Sequence, residues 1–320
     1  MSGLSGRRLV RRMGRGVFVV WIAMSLVFLL TNLVGDPAVA TLGPRAHASQ
    51  IAEFRRAHGL DRPFHEQYLS YFAGILRGDL GHSFRDGQPV LDVVLTRLPR
   101  TVLLGALAMT FELVFGLSIG LLAALRRNTL IDTSAMSLAY LGISTPSFLI
   151  GLVVMEVFAF RLGWLPVGGY GVTTAEHVEH ALLPALTLAV VGAATYARIL
   201  RSEMIETLRA DYVRTARSKG LSRARVVVVH ALRNAVLPIL TLLGMSMPLL
   251  VTGAIVTETV FGWPGIGRLA IEAIYSLDVP MLLGIVLMSA LTVQAGNLLA
   301  DVAVSRIDGR VKSEDDLPIR

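Results

Sequence analysis

The stretch at residues 17–34, VFVVWIAMSLVFLLTNLV, is an 18-residue run whose most polar member is Asn32. It follows five arginines, Arg7, Arg8, Arg11, Arg12 and Arg15, and stops at Gly35-Asp36-Pro37. A helix needs about 20 apolar residues to cross the hydrocarbon of a bilayer, so the run predicts a membrane span. Five further runs of the same kind lie at residues 101–125, 135–160, 181–200, 236–256 and 279–304. Lipid-facing barrel strands are about ten residues of alternating character, whereas these runs are longer and apolar on all sides. The chain is therefore expected to be an all-α, polytopic membrane protein with six transmembrane helices.

Composition agrees. Hydrophobic residues make up 53% of the chain and charged residues only 17%, with a mean hydropathy of +0.62, against about a quarter charged in soluble domains. The net charge of +7 raises nucleic acid as a partner. The cations, however, sit in short clusters beside apolar runs, which favours membrane topology and no nucleic acid. The absence of cysteine excludes disulfides and thiolate chemistry. The N-terminal segment, the second connection (Arg126, Arg127), the fourth connection and the tail (Arg306, Arg310, Lys312, Arg320) hold twenty of the thirty basic residues. The third and fifth connections hold one each, Arg161 and Arg268. Positive charge stays inside, so both termini are expected to be cytoplasmic.

Five regions follow: a cytoplasmic segment 1–16, the first span 17–34, an external helical segment 35–100, a five-helix core 101–304 with a cytoplasmic loop at about 203–235, and a tail 305–320. In the external segment, EFRRAHGLDRPFHEQYLSYFAGILRGDLG spaces apolar and aromatic residues helically between Gly and Pro breaks, predicting an ordered subdomain. Ala38-Val39-Ala40 after the first run resembles a signal-peptide cleavage site. The run exceeds the usual length and Asp36-Pro37 intervenes, so a retained span is the reading taken.

Several patterns invite chemistry. Gly116-Leu117-Ser118-Ile119-Gly120 matches the nucleophile elbow G-x-S-x-G, but that motif needs a strand-to-helix turn. Inside an apolar run, small residues four apart instead let helices approach closely. His177 and His180 with Glu176 and Glu179 lack the H-E-x-x-H order of a zinc site and read as a solvated turn. No G-x-x-x-x-G-K-[ST] occurs, so ATP hydrolysis is not expected of this chain. Glu112 and Glu156 lie within expected spans, where carboxylates are costly unless they face a cavity or partner. Ser144-Thr145-Pro146 and Met245-Ser246-Met247-Pro248 predict kinks. Candidates for a translocation pathway are therefore Glu112, Ser144, Pro146, Glu156, Met245 and Pro248.

The fourth connection carries DYVRTARSKGLSRARVVVVHALRNAVLP at 211–238, with six basic residues and one acid. Asp211 suits a helix start and Lys219 a helix end, Gly220 a left-handed cap, and Ser222 the N-cap of a second helix. A basic loop that merely fixes topology would not need Ala216, Gly220 and Leu221, which suggest a compact knob for a protein socket. This segment resembles the cytoplasmic coupling loop, or EAA loop, of bacterial ABC importer permeases in the dipeptide and oligopeptide branch. Thr215-Ala216 stands for the paired alanines, Gly220 for the loop glycine and Leu237-Pro238 for the closing pair, while Arg214 replaces the wider family's glutamate. GLDRPFHEQYLSYFAGILRGDLGHSF, STPSFLIG, FRLGWLPVGGYG and ETVFGWPGIGRLAIEAIYSLDVP resemble the same branch in the same order, and the long segment after the first span resembles its B-type subunit.

The resemblance implies a type I importer permease fold in the bacterial cytoplasmic (inner) membrane. It implies a second homologous permease, two ABC ATPase subunits and an external solute-binding protein as partners besides membrane lipid. ATP and Mg2+ would sit on the ATPases, with no cofactor on this chain. Tyr212, Arg214, Thr215, Ala216, Lys219, Gly220, Leu221 and Arg225 would contact an ATPase. Trp263, Pro264, Gly265 and Arg268 would help receive the binding protein, with a short amphipathic helix at 268–278 and Trp263 and Tyr275 as interfacial anchors. Dipeptides, oligopeptides, nickel chelates, glutathione and haem remain open as cargo. A self-contained secondary transporter would favour inverted repeats, and an intramembrane hydrolase would rest on Ser118 alone.

Overall fold

The computed structural model describes residues 6–246 and 254–307. Its regular elements are helices: α1 (Gly6–Val34), α2 (Pro37–Leu42), α3 (Ala48–Ala57), α4 (Phe64–Leu76), α5 (Val90–Leu125), α6 (Leu130–Ser144), α7 (Ser147–Val154), α8 (Thr174–Thr207), α9 (Asp211–Ser218), α10 (Arg223–Arg225), α11 (Arg233–Ala235), α12 (Leu237–Ser246), α13 (Ile255–Val260), α14 (Ile266–Tyr275) and α15 (Val279–Ile307). π-helical turns continue α7 over Met155–Arg161 and join α10 to α11 over Val226–Leu232. Among the described residues, four helices are long and apolar enough to cross a bilayer, through Gly14–Val34, Val90–Leu125, Thr174–Thr207 and Val279–Leu298. The expected third span is a broken pair, α6 and α7 with its π-helical extension, bent by 111°. The expected fifth span takes in α12, and residues 247–253, with Pro248, lie outside the described residues.

The chain divides into two compact units. One comprises Met1–Thr101 and Pro264–Gln294. Here the 35–100 segment folds into ordered helices as its spacing predicts, although the second long helix starts at Val90, well before the apolar run. Asp36 caps α2 by accepting from the Ala38 amide at 3.0 Å, Pro37 fits the first helical position, and Gly43 ends the helix at φ 83°. Ala38 of the Ala-Val-Ala triplet is buried within that helix. Burial opposes ionisation of Asp36, but bonds from Arg55 and the Ala38 amide outweigh it and hold its carboxyl below the usual range. The core joins Leu80, Val90 and Val94 to Ile266, Leu269 and Ala273 of α14 and to Met281, Leu282 and Ile285 of α15. Buried Asp278 closes it, accepting from Ser83 Oγ at 2.5 Å and from the amides of Phe84 at 3.1 Å and Met281 at 3.3 Å.

The other unit comprises Val102–Trp263 and Ala295–Arg320, and α8 is its axis. Ala181, Ala185, Ala189, Ala193 and Ala197 recur every fourth residue along α8 and are all buried. Against them stand glycines of α5: a β-carbon on Gly116 would meet the Ala193 carbonyl at 2.9 Å, and one on Gly120 the Ala197 carbonyl at 2.6 Å. The G-x-S-x-G pattern is thus a helix contact, with Ser118 exposed within α5. The break between α6 and α7 follows from Pro146, which forces Thr145 into extended backbone (φ −89°, ψ 130°) and starts α7 as its N-cap. Near the start of α6, Asp132 is only 3% exposed. It receives a two-pronged bond from Arg201 of α8, Nε to Oδ1 at 2.5 Å and Nη2 to Oδ2 at 2.7 Å, and Asn128, at φ 59°, donates its amide at 2.9 Å.

Two outcomes test these contacts. Gly120→Leu overpacks the α5–α8 seam and lowers stability by roughly 2 kcal/mol, read as a fall in thermal midpoint in detergent. Asp132→Ala leaves the Arg201 guanidinium without its buried partner and costs about 3 kcal/mol. Arg201→Met added to it recovers part of the loss, because replacing both charges removes the uncompensated one.

Candidate functional site

Helix α9 is amphipathic. Val213 and Ala216 are buried while Tyr212, Arg214, Thr215, Arg217 and Lys219 are exposed. The Leu221 amide donates to the Ala216 carbonyl at 3.4 Å and the Gly220 amide to the Arg217 carbonyl at 2.9 Å. Those are the two bonds of a Schellman cap, and Gly220 takes the required left-handed conformation at φ 76°. Nothing lies within 4 Å of where its β-carbon would stand, so backbone conformation, and not crowding, asks for glycine there. Ser222 then caps α10, its hydroxyl accepting from the Arg225 amide at 3.4 Å. Helix, glycine and helix stand in the order the sequence predicts.

The loop has its own small core, in which Val213, Ala216 and Val226 pack with Leu208 and Leu221. Ala216 therefore faces inward and supports the turn, while Gly220 and Arg225 are exposed and Leu221 is half-buried. Tyr212 bridges the two arms. Its hydroxyl accepts from Asn234 Nδ2 at 3.1 Å and lies 3.5 Å from the His230 carbonyl. Arg214 pairs with Asp211 at 3.5 Å on the exposed face of α9. The far arm is seated on the axis helix: Val227, Ala231 and Ala235 pack with Tyr196, Leu200 and Met204 of α8 and with Ala124 of α5. A cavity of about 440 Å3 opens beside the turn, between Ala124, Leu125, Leu208, Leu221 and the side chains of Arg217 and Arg223.

The Glu112 carboxylate lies over Gly192 of α8, where a β-carbon would meet it. A β-carbon on Gly142, just before the α6–α7 break, would meet Val190, two residues earlier on α8 and so on another face of that helix. Ser144 and Pro146 are exposed at the break. Glu156 is elsewhere, paired with Arg161 at 3.0 Å in the π-helical turn. Met245 lies in α12, and Pro248 lies outside the described residues.

Two of the docking candidates, Trp263 and Gly265, are buried and need correction. Trp263 is fully buried among Leu104, Ala108, Ala181, Ala185 and Ala254, its ring edge-on to Tyr170 at 5.0 Å. It anchors the chain internally because the two glycine-rich turns fold onto each other, the Gly169 amide donating to the Phe261 carbonyl at 2.9 Å. Gly265 is also buried, Pro264 is half-buried, and Arg268 pairs with Glu272 at 2.9 Å. Helix α14 forms close to where it was predicted and leaves Tyr275 85% exposed, so of the two aromatic anchors only Tyr275 is at the surface. In the His-Glu segment, three side chains have local tasks. Glu176 accepts from the Val172 amide at 2.6 Å and, in a capping box, from the Thr173 amide at 3.3 Å, His177 stacks on Tyr170 at 3.8 Å, and His180 bonds the Gly168 carbonyl at 2.7 Å.

Sequence reasoning passed over Val213 and Val226 as the core of the loop and the pairing of buried Asp132 with half-buried Arg201. The loop core had a signal in the apolar positions 213, 216 and 226, whereas the Asp132–Arg201 pair is indistinguishable in sequence from ordinary topological charge.

Known proteins agree with this architecture. Residues 116–313 match the family described as binding-protein-dependent transport system inner membrane component, and residues 6–105 match the N-terminal family of such membrane components. The glutathione transport system permease protein GsiC of Salmonella typhimurium is 40% identical over 292 residues, 91% of this chain and 94% of that one. A Brucella suis protein, by name a peptide permease, is 42% identical over 296 residues, 90% of this chain and 93% of that one. The inward-facing MetNI methionine ABC transporter has a chain that superposes with a TM-score of 0.56 at 15% identity, over 68% of this chain and 96% of that one, a likeness of fold. The chain belongs to the binding-protein-dependent transport system inner membrane components, the permease subunits of bacterial ABC importers.

Proposed function

We propose that this permease forms one half of the translocation pathway of an importer for short peptides, glutathione included, and pairs with a second homologous permease. Two cytoplasmic ATPases bind ATP and Mg2+, and an external binding protein delivers the cargo. The observation that carries the coupling role is the Schellman-capped turn at Gly220, exposed at the tip of a loop whose two arms are both fixed to α8. One arm continues α8 in sequence and the other packs on its side, so a push on the turn moves the helix that lies beneath Glu112 and beside the α6–α7 break. ATPase closure then biases a two-state permease through differential contacts at the loop. Tyr212, Arg214, Thr215, Lys219, Gly220, Leu221 and Arg225 present the contact surface, and Ala216 holds its shape from within. The cargo class rests on the names of the relatives and on their nearly full-length match.

Gly220 separates coupling from folding. A non-glycine residue in the left-handed region costs about 1–2 kcal/mol, least for Asn and most for β-branched residues. Gly220→Asn retains ATPase recruitment and uptake. Gly220→Val reaches the membrane but loses recruitment in pull-down or uncouples ATP hydrolysis from uptake in proteoliposomes. Normal recruitment and uptake by the valine variant would remove Gly220 from the lever. For cargo, thermal shift of the cognate binding protein with reduced glutathione, di- and tripeptides and haem should show the largest rise with a peptide; stabilisation by haem alone would overturn the peptide assignment.

A further inference from the structure

Helix α4 belongs to the segment expected outside the membrane between the first two spans, yet it is packed on a membrane span below that span's end. Arg15 is the last charge before the apolar part of α1, and residues 16–34 number 19. At 1.5 Å per residue they rise about 28 Å, nearly all of the roughly 30 Å hydrocarbon core, so Val34 marks the far edge of the core. Phe28 stands six residues before it, about 9 Å deeper. Three rings of α4 surround Phe28: Phe64 at 5.3 Å, Tyr68 at 5.6 Å and Tyr71 at 6.3 Å. The Tyr68 hydroxyl reaches further down to share a 2.7 Å hydrogen bond with Ser25 Oγ.

The three faces of α4 are sorted by chemistry. Gln67, Ser70, Tyr71 and Gly74 line a cavity of about 440 Å3. Tyr68, Phe72 and Ile75 join Val20, Met24 and Phe28 in a hydrophobic cluster. Leu69, Ala73 and Leu76 form the remaining stripe, and they are turned outward, with Leu69 63% and Leu76 90% exposed. Leu29, Leu30 and Leu33 of α1 are likewise turned outward, exposed at 44%, 47% and 72%, so both helices present apolar side chains at their surfaces. Arg62 and Arg77 flank the two ends of the helix, and His65 and Glu66 are exposed in its first turn.

We infer that α4 is an interfacial helix inserted in the leaflet farthest from the N-terminal arginines, its Leu69-Ala73-Leu76 stripe against acyl chains. An amphipathic helix buried about 5–10 Å at the headgroup boundary matches the depth of Phe28, and flanking arginines reach the phosphates. The occupant is lipid and not a protein partner because α4 meets α1 at Phe28 and Ser25, a depth within the hydrocarbon that the span crosses. On this reading, α4 separates acyl chains from the cavity on its opposite face.

The chain has no cysteine, so single substitutions report cleanly. Leu69→Cys, Ala73→Cys and Leu76→Cys, with Gln67→Cys and Ser70→Cys on the cavity face, are placed in the complete transporter reconstituted in phosphatidylethanolamine–phosphatidylglycerol nanodiscs and labelled with bimane. Uptake by the unlabelled variants in proteoliposomes certifies assembly. For an inserted helix, phospholipid doxyl-labelled near the headgroup lowers emission at 69, 73 and 76 roughly twofold more than at 67 and 70, and aqueous iodide does not. Iodide quenching at 69 and 76 without lipid quenching places the stripe in water and overturns the inference. Quenching by neither places it under a protein partner and overturns it equally.

Discussion

Close approach onto α8 is the constraint on which the larger unit depends. In a bilayer, lipid tails are as apolar as leucine, so helices gain little by hiding apolar side chains from one another and rely on contact and internal hydrogen bonding. The alanine ladder of α8 supplies a groove without bulk. Gly116 and Gly120 of α5, Gly142 of α6 and Gly151 of α7 fit into or beside it. The short approach is what puts a carboxylate, Glu112, directly over a glycine, Gly192. It also makes the bent α6–α7 pair tolerable, because the two arms pack on α8 separately while Pro146 turns the chain.

The same helix is what would let the loop act as the proposed lever. Thr207 ends α8, and after three intervening residues α9 begins at Asp211, so the first arm is tied to α8 by the chain itself. The other arm is tied by packing, through Val227, Ala231 and Ala235. A turn fastened at one end only could swivel without moving anything. Fastened at both, and filled by Val213, Ala216 and Val226, it passes displacement to the helices that carry it. The latch of Tyr212 to Asn234 adds a polar tie between the arms.

Much of this was legible in residues whose effect is local. Apolar runs show spans because hydrocarbon must be crossed, Gly220 shows a cap because few residues accept positive φ, and Thr145-Pro146 shows a break because proline constrains its neighbour. The size of the break, 111°, was not legible, since it depends on two separate sites of packing along α8. Trp263 was misread because an aromatic residue in a glycine-rich turn has the same local signature at an interface and in a core. Tyr170, far away in sequence, decides which it is. Asp132 and Arg201 pass for topological charges until folding brings them together, and the aromatic face of α4 gave no sign of the depth at which it meets α1.

Charge shows the division of labour most clearly. Arg161, Arg201 and Arg268 each have a carboxylate within 3.0 Å, Glu156, Asp132 and Glu272 in turn. The two pairs within single helices are substantially exposed and contribute little, whereas buried Asp132, paired with half-buried Arg201, ties α6 to α8. The cations of the 211–225 turn are exposed around a backbone cap that does not need them to hold its shape. Topology alone requires positive charge on that side of the membrane but no particular arrangement of it. A fixed turn with exposed cations on both flanks of Gly220 has the form that the proposed ATPase contact needs, and that role would account for the concentration of charge there in a chain otherwise poor in it.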